Sequence, residues 1–419
     1  MKYVPEHPTR RVGGVVPLTA LLLIPLTGML AFSIDIGYIV VVQTELQDAA
    51  DAAALAGVQK LQNLYVQYNI PTMTNSQKNG IKTTAITNTG TSASPIYTAE
   101  QFAKYNKAGG VYINVPDSDV DIGFMDSSGN YTHSYGTNFP NTVRVTTRRQ
   151  GALGGTTNGS LPLFFARIFG MNTKDLQATA QATIYAGDVT SYQPISGFDS
   201  HVLPVALDKN TWTHFFSTGQ SPDGTTHYAP NGYPELQVYP DPGNAPGQFG
   251  LLDVGAPAND VPTFRNWIAD GETPNDIQYM LDHNLLPVSP TNPEPWKGGP
   301  GLKSTLQASF QQVIGDPNVI PIFQPAQGTP FDTSTTYIPT YDSSGNPGGN
   351  GSSTYYHVIG FVGVTVTRAD GNGNNMNISV QPMAVIDATS VISTPQPAGT
   401  QSSSFGTTAT TFISAKLTQ

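Results

Sequence analysis

The sequence predicts an α+β protein: a long N-terminal transmembrane helix that extends past the membrane, then a mostly β extracytoplasmic body with short helices. Three observations carry that expectation. The run from Val12 to Ile34 holds no charged residue, an alanine-rich stretch with helical spacing follows it, and the remaining chain alternates short β-branched segments with Gly, Pro and Asn turns.

At about 1.5 Å per residue the apolar run exceeds the roughly 30 Å hydrocarbon core of a bilayer. Lys2, Arg10 and Arg11 precede it, whereas Asp35, Glu45, Asp48 and Asp51 follow, with Lys60 the next basic residue. The positive-inside bias therefore places residues 1–11 in the cytoplasm and the body outside it. A secretory signal could be cut near Ala31 and Ser33, but the run is longer than the usual h-region and helical patterning continues beyond it, so an uncleaved anchor is expected. Pro17 and Pro25 each remove a helical hydrogen bond and mark places where the helix can kink.

Past Asp35 the helix should continue. Leu46, Ala50, Ala53, Gly57, Leu61, Leu64 and Tyr68 recur at steps of three or four and form one apolar stripe, with Thr44, Glu45, Asp48, Asp51, Gln59, Gln62 and Asn63 opposite. Pro71 disfavours helical geometry at Ile70, which predicts an end near Tyr68 or Asn69. Small residues in the stripe let another backbone approach closely, and periodicity leaves open whether that backbone is the chain's own body or a neighbouring subunit. Asp35, at the expected membrane boundary, reads either as a polar contact between anchors or as a carboxylate reaching headgroup water. The candidate packing and assembly residues are thus Asp35, Leu46, Ala50, Ala53, Gly57, Leu61 and Leu64.

The body divides coarsely by composition. Residues 1–70 are stub, anchor and helical extension; 71–98 a Thr/Asn/Ser-rich connector; 99–190 a small α+β module; 191–394 a larger β-rich module; 395–419 a mobile Ser/Thr-rich tail, with Thr411–Leu417 as one candidate edge strand. The small module should hold a helix over 99–107, strands over 111–115, 143–147 and 176–185, and a helical turn near 163–169. The larger one should hold helices over 262–270, 274–283 and 302–314 and strands over 319–323, 358–367 and 377–386. The last two read as a hairpin through Arg368–Met376, whose Gly and Asn residues tolerate positive φ.

Only 11% of residues are charged, so the polar surface must come from Thr, Ser, Asn and Gln. A formal net charge of -10 with scattered cations argues against a nucleic-acid partner. The absence of cysteine excludes thiol catalysis, Cys-ligated zinc and disulfide stapling, leaving core burial to stabilise the body. Asp117, Asp119 and Asp121 have alternate spacing but lack the Gly and distal acid of a calcium loop, and read as a solvated strand edge. The pentapeptide D-S-S-G-N occurs at Asp126–Asn130 and Asp342–Asn346 and reads as a tight turn each time. No H-E-x-x-H, G-x-S-x-G or phosphate-loop pattern is present. No catalytic residue, metal site or cofactor is predicted.

The order R-R, apolar span, F-S-I-D-I-G-Y (Phe32 to Tyr38) and L-Q-D-A-A-D-A-A-A-L-A resembles the N-terminal segment of the Flp pilus-assembly TadE/TadG-like family. Asn141 to Ala186, with V-R-V-T-T, L-P-L-F-F-A-R-I-F-G and Q-A-T-A-Q-A-T-I, is similar to the next part of TadG-like proteins. The resemblance implies a single-pass component of the tight-adherence pilus apparatus, anchored in the inner membrane with its body in the periplasm, and no catalytic residues. Its implied partners are the lipid bilayer and other pilus-machine membrane subunits or itself. Gly13 and Gly14 are followed by V-V-P-L-T without the acid of a prepilin processing site, and no D-x-S-x-S metal-adhesion motif occurs, so pseudopilin processing and a von Willebrand-type site are not expected. Behind this reading stand an anchored binding module, an adhesin or polymer-binding surface using Trp212, Trp267 and Trp296 as an aromatic platform, and an unrecognised extracytoplasmic hydrolase.

Overall fold

The computed structural model describes residues 15–418 except 70–72, 134–135, 137, 152–157, 240–248, 255–259, 299–303, 332–334, 350–353, 372–375, 384, 386, 394 and 401–412. Helix α1 (Val15–Tyr68) is continuous over 54 residues, about 80 Å at the α-helical rise. It passes through Pro25 unbroken and ends at Tyr68, ahead of Pro71 as expected. Pro17 lies in its first turn, where a missing N–H leaves no bond to lose.

Two further helices follow, α2 (Asn75–Ile86) and α3 (Pro95–Lys104). The connector expected over 71–98 therefore contains a full helix. Its signal was a capping box, Thr74 accepting from the Gln77 backbone while the Gln77 side chain accepts from Thr74, inside a polar composition that reads as loop. The helix expected over 99–107 begins earlier, at Pro95, where proline suits the first turn.

The chain forms two compact units, each drawn from separate stretches: residues 1–53, 99–120 and 145–180 in one, and 54–98, 121–144 and 181–419 in the other. In the first, α1 runs along the strands β2 (Thr142–Arg149) and β3 (Leu176–Ala186), through their residues 145–149 and 176–180. Leu176, Ala178 and Ala180 point inward, with Gln177 and Thr179 outward, the period of two that a strand imposes. Gln43 Nε2 donates to the Gln177 carbonyl at 2.7 Å and Gln47 Nε2 to the Thr179 carbonyl at 3.4 Å. Four residues of helix rise about 6 Å and two residues of strand about 6.6 Å, so the two repeats stay in step. From the strand side, Thr147 Oγ1 donates to the Leu46 carbonyl at 2.9 Å, an approach to helix backbone that the neighbouring Ala49, Ala50 and Ala53 leave room for.

In the second unit the larger sheet orders its strands as His227–Tyr228, β4 (Pro234–Tyr239), β5 (Asn377–Pro382), β6 (Tyr355–Asp370), β7 (Pro317–Gln324), Val205–Asp208 and Phe249–Leu251, with Glu294–Lys297 paired beside β6. β6 and β5 are antiparallel as the hairpin expectation required, although residues 372–375 of its turn lie outside the described residues. The helices expected over 262–270 and 274–283 are Val261–Asp270, capped by Asp260, and Pro274–Asp282, capped by Thr273 with Asp276. Between them Gly271 has φ 90°, and a Cβ there would meet the Ser200 carbonyl oxygen at 2.1 Å, so both conformation and space require glycine. The helix expected over 302–314 is shorter, a 3-10 turn at Ser304–Leu306 leading into Gln307–Gln312.

Trp212, Trp267 and Trp296 lie in the core of this unit with Phe215, Phe264 and Phe361. Each large side chain so buried contributes about 1.5–3 kcal/mol. Both D-S-S-G-N pentapeptides form the same turn, the Asp126 and Asp342 carboxylates each accepting from the backbone of the residues two and four positions on. The segment expected to be a mobile tail is held at two places: Gln396–Pro397 and Ile413–Thr418 both pair with β3.

Candidate functional site: the bare half of the helix and the Asp35 contact

From Val15 to Ile34, helix α1 carries Leu, Ile, Met and Phe side chains that stay exposed, from Phe32 at 44% to Ile24 at 73%. The three hydroxyl residues of this stretch turn back on their own helix: Thr19 Oγ1 donates to the Val15 carbonyl, Thr27 Oγ1 to Leu23 and Ser33 Oγ to Met29. Each hydroxyl is therefore satisfied without water, as a nonpolar surrounding demands.

At Asp35 the environment changes within one residue. Its side chain is 2% exposed, and its carboxylate accepts three backbone N–H groups, from Phe164 at 2.8 Å, Phe165 at 2.9 Å and Ala166 at 2.6 Å. The three N–H donors and the nearby Arg167 charge all favour its ionised form. The sequence offered a contact between anchors or headgroup water for Asp35; the chain's own backbone takes the carboxylate instead.

The segment so held is short and irregular. A 3-10 turn spans Ala166–Phe169 and ends at Gly170, whose φ is 83°. Tyr38, one helical turn past Asp35, packs its ring on Phe164 with centroids 5.2 Å apart. Further along, Glu45 accepts the Gly109 N–H at 2.7 Å. Gly109 has φ 59° and lies against Arg149, which donates to the Ala108 carbonyl and, at 2.9 Å, to the Gly159 carbonyl. Two acids on one helix thus bond backbone N–H groups of the body.

The remaining candidate residues are all inside. Leu46, Ala50 and Ala53 are buried in the first unit, and Gly57, Leu61 and Leu64 in the second. The chain's own body covers this stripe. Two residues assigned to the polar face depart from it, Glu45 through its bond to Gly109 and Gln62 through burial. The helical turn expected near 163–169 is the 3-10 turn at Ala166–Phe169; sequence reasoning missed its bonds to Asp35 and the bond from Gly109 to Glu45, both of which join residues far apart in the chain.

The other constellations singled out in the sequence have separate roles. Asp119 pairs with Arg148 at 2.9 Å, and Asp121 accepts from Tyr131 at 2.7 Å and contacts His133, so these acids are engaged separately. The three tryptophans that the alternative reading used as a surface platform are buried, which removes that basis for a binding module. His201 contacts Asp387 and follows Ser200 in the chain, yet Ser200 Oγ donates to the buried Glu272 at 3.0 Å and is itself fully buried, an arrangement of a core hydrogen bond and not of a presented nucleophile.

A long apolar helix leading into a β-rich body, locked at the end of the bare stretch by a buried carboxylate, defines the class of this chain. A Flp pilus-assembly TadE/G-like family model matches residues 13–60, and a Tad-like Flp pilus-assembly model matches residues 43–182. The resemblance to the Flp pilus-assembly TadE/TadG-like family is shown over this region, which takes in α1, the Asp35 contact and the strands beneath the helix, and it supports a role in pilus assembly. No curated protein and no solved structure matches the chain.

Proposed function

We propose that this chain is a non-catalytic structural component of a Tad-type (Flp) pilus or secretion apparatus, held in the inner membrane by a single span, with its N-terminus cytoplasmic and its body periplasmic. The observation that carries the reading is the bare half of α1. Its apolar side chains from Val15 to Ile34 cover about 30 Å of helix, the thickness of a bilayer core, and Arg10 and Arg11 precede it. Transfer of such a surface from water to hydrocarbon is strongly favourable.

Partners are assigned by the surfaces left uncovered. The small-residue stripe is used within the chain, so contacts with other pilus-machine subunits, or with a second copy, fall to the bare span and the body surface. The test is membrane fractionation with protease protection of tags at the two ends, followed by purification in mild detergent. Carbonate-resistant membrane association, a protected N-terminal tag in spheroplasts, a digested C-terminal tag and recovery of pilus-machine subunits are expected. Release into the soluble fraction, or a digested N-terminal tag, defeats the anchoring and orientation; recovery of the chain alone defeats the assembly role.

A further inference from the structure

The turn that Asp35 holds is itself a candidate for membrane insertion. Ile168 is 80% exposed and Phe169 68%, and Phe164 and Met171 are exposed beside them. Large apolar side chains grouped so closely on a surface mark contact with an apolar partner. The chain places them beside α1 at a definite height. Phe164 lies on Tyr38, Ala166 lies at Asp35, and Phe165, Ile168 and Phe169 share a groove with Phe32, Gly28 and Ile24. Ile24 precedes Asp35 by about 16 Å of helix rise. The turn therefore descends along the span and does not stop at its end.

Irregular backbone survives at lipid depth only where its polar groups are satisfied within the protein. Most N–H groups of this turn meet that condition. The N–H groups of Phe164, Phe165 and Ala166 go to the Asp35 carboxylate. Those of Leu163, Ile168, Gly170 and Met171 go to the carbonyls of Asn172, Phe165, Arg167 and Ala166. The one cation of the turn, Arg167, is exposed and near Asp35, where a long side chain can reach up to lipid phosphates while its stem stays in hydrocarbon.

We propose that the segment Phe164–Met171 is embedded in the bilayer beside the helix as a second, non-spanning membrane contact, and that Asp35 makes it possible by taking up the N–H groups the turn would otherwise expose to lipid. The partner is the acyl-chain region of the membrane, argued from continuity: one wall of the groove is the anchor's own apolar surface, so whatever surrounds Ile24 and Phe32 also surrounds Ile168 and Phe169. The inference rests on the anchor reading above. Its consequence is mechanical, because two attachments fix the tilt and rotation of the body relative to the membrane, which a single span leaves free.

The chain has no cysteine, so single labels are straightforward. Full-length Ile168→Cys, Leu22→Cys and Tyr105→Cys variants, each carrying an environment-sensitive fluorophore, are reconstituted into phosphatidylglycerol-containing vesicles with and without nitroxide-labelled acyl chains. All three positions are exposed, so the labels do not disturb packing. The expected result is quenching at Ile168 comparable to that at Leu22, with none at Tyr105. Quenching at Leu22 but not at Ile168 overturns the proposal while leaving the anchor intact. Absence of quenching at Leu22 defeats the anchor reading and this one with it. Quenching at Ile168 that disappears as protein density in the vesicles rises assigns the groove to a second copy and also overturns the proposal.

Discussion

The two halves of α1 are one helix in two surroundings. Before Asp35 its large aliphatic side chains stand uncovered; after Val42 it presents alanines and a glycine that the body covers almost completely. The first half is apolar all round, whereas the second is apolar on one face and carries Asp48, Asp51, Gln59 and Asn63 on the other. Where the second half meets the strands, its buried face is also lined by small residues, Ala49, Ala50 and Ala53. Large, flexible aliphatic groups suit a fluid apolar medium, whereas a sheet needs small residues to bring a strand hydroxyl such as that of Thr147 to a helix carbonyl.

The most direct challenge to this contrast is to exchange the sizes. Ala50→Leu together with Ala53→Leu should overpack the buried half and lower stability by about 1–3 kcal/mol for each change, measured by thermal unfolding in detergent. Leu22→Ala in the bare half should leave the same unfolding midpoint unaltered and weaken membrane retention. Equal loss of stability from both halves would mean that the two do not differ in surroundings.

Asp35→Ala tests the residue at which the surroundings change. Without the carboxylate, the Phe164, Phe165 and Ala166 N–H groups lose their acceptor, and proteolysis within 164–171 should rise sharply while Asp35→Glu loses less; indifference to Asp35→Ala would remove its holding role. A buried carboxylate in the second unit adds a dependence on pH. Glu272 is pushed by burial well above its ordinary 4.5, so the folded state holds its proton more tightly and stability falls as pH rises from that value. Glu272→Gln should therefore raise stability at neutral pH and flatten that part of the profile, read from unfolding midpoints between about pH 4 and 8. A flat wild-type profile contradicts the assignment.

The smallest expected effect is that of single hydroxyls. Thr147→Val, which removes a buried bond from strand to helix, should cost about 1 kcal/mol. Thr27→Val, which removes a bond the bare helix makes only to itself, should change unfolding very little. A larger cost at Thr27 than at Thr147 would reverse the proposed order.

Much of the fold was legible because it depends on near neighbours. The end of α1 before Pro71, the helices after Asp260 and Thr273, the hairpin of β6 and β5 and both D-S-S-G-N turns arise from periods, caps and glycine positions within a few residues. Helix α2 was hidden because its polar composition outweighed a four-residue cap. The tryptophans left core and platform both open, because an aromatic side chain suits either and only the surrounding residues decide which.

Local sequence was enough to establish that an apolar span begins this chain, that a helix continues beyond it with a small-residue face, and that strands and turns come after. It took folding in three dimensions to settle that this face turns inward and that Asp35 bonds residues 129 to 131 positions away. The reason is physical: periodicity records which side of a helix avoids water, whereas the identity of what covers that side depends on residues distant in the chain and brought near by folding.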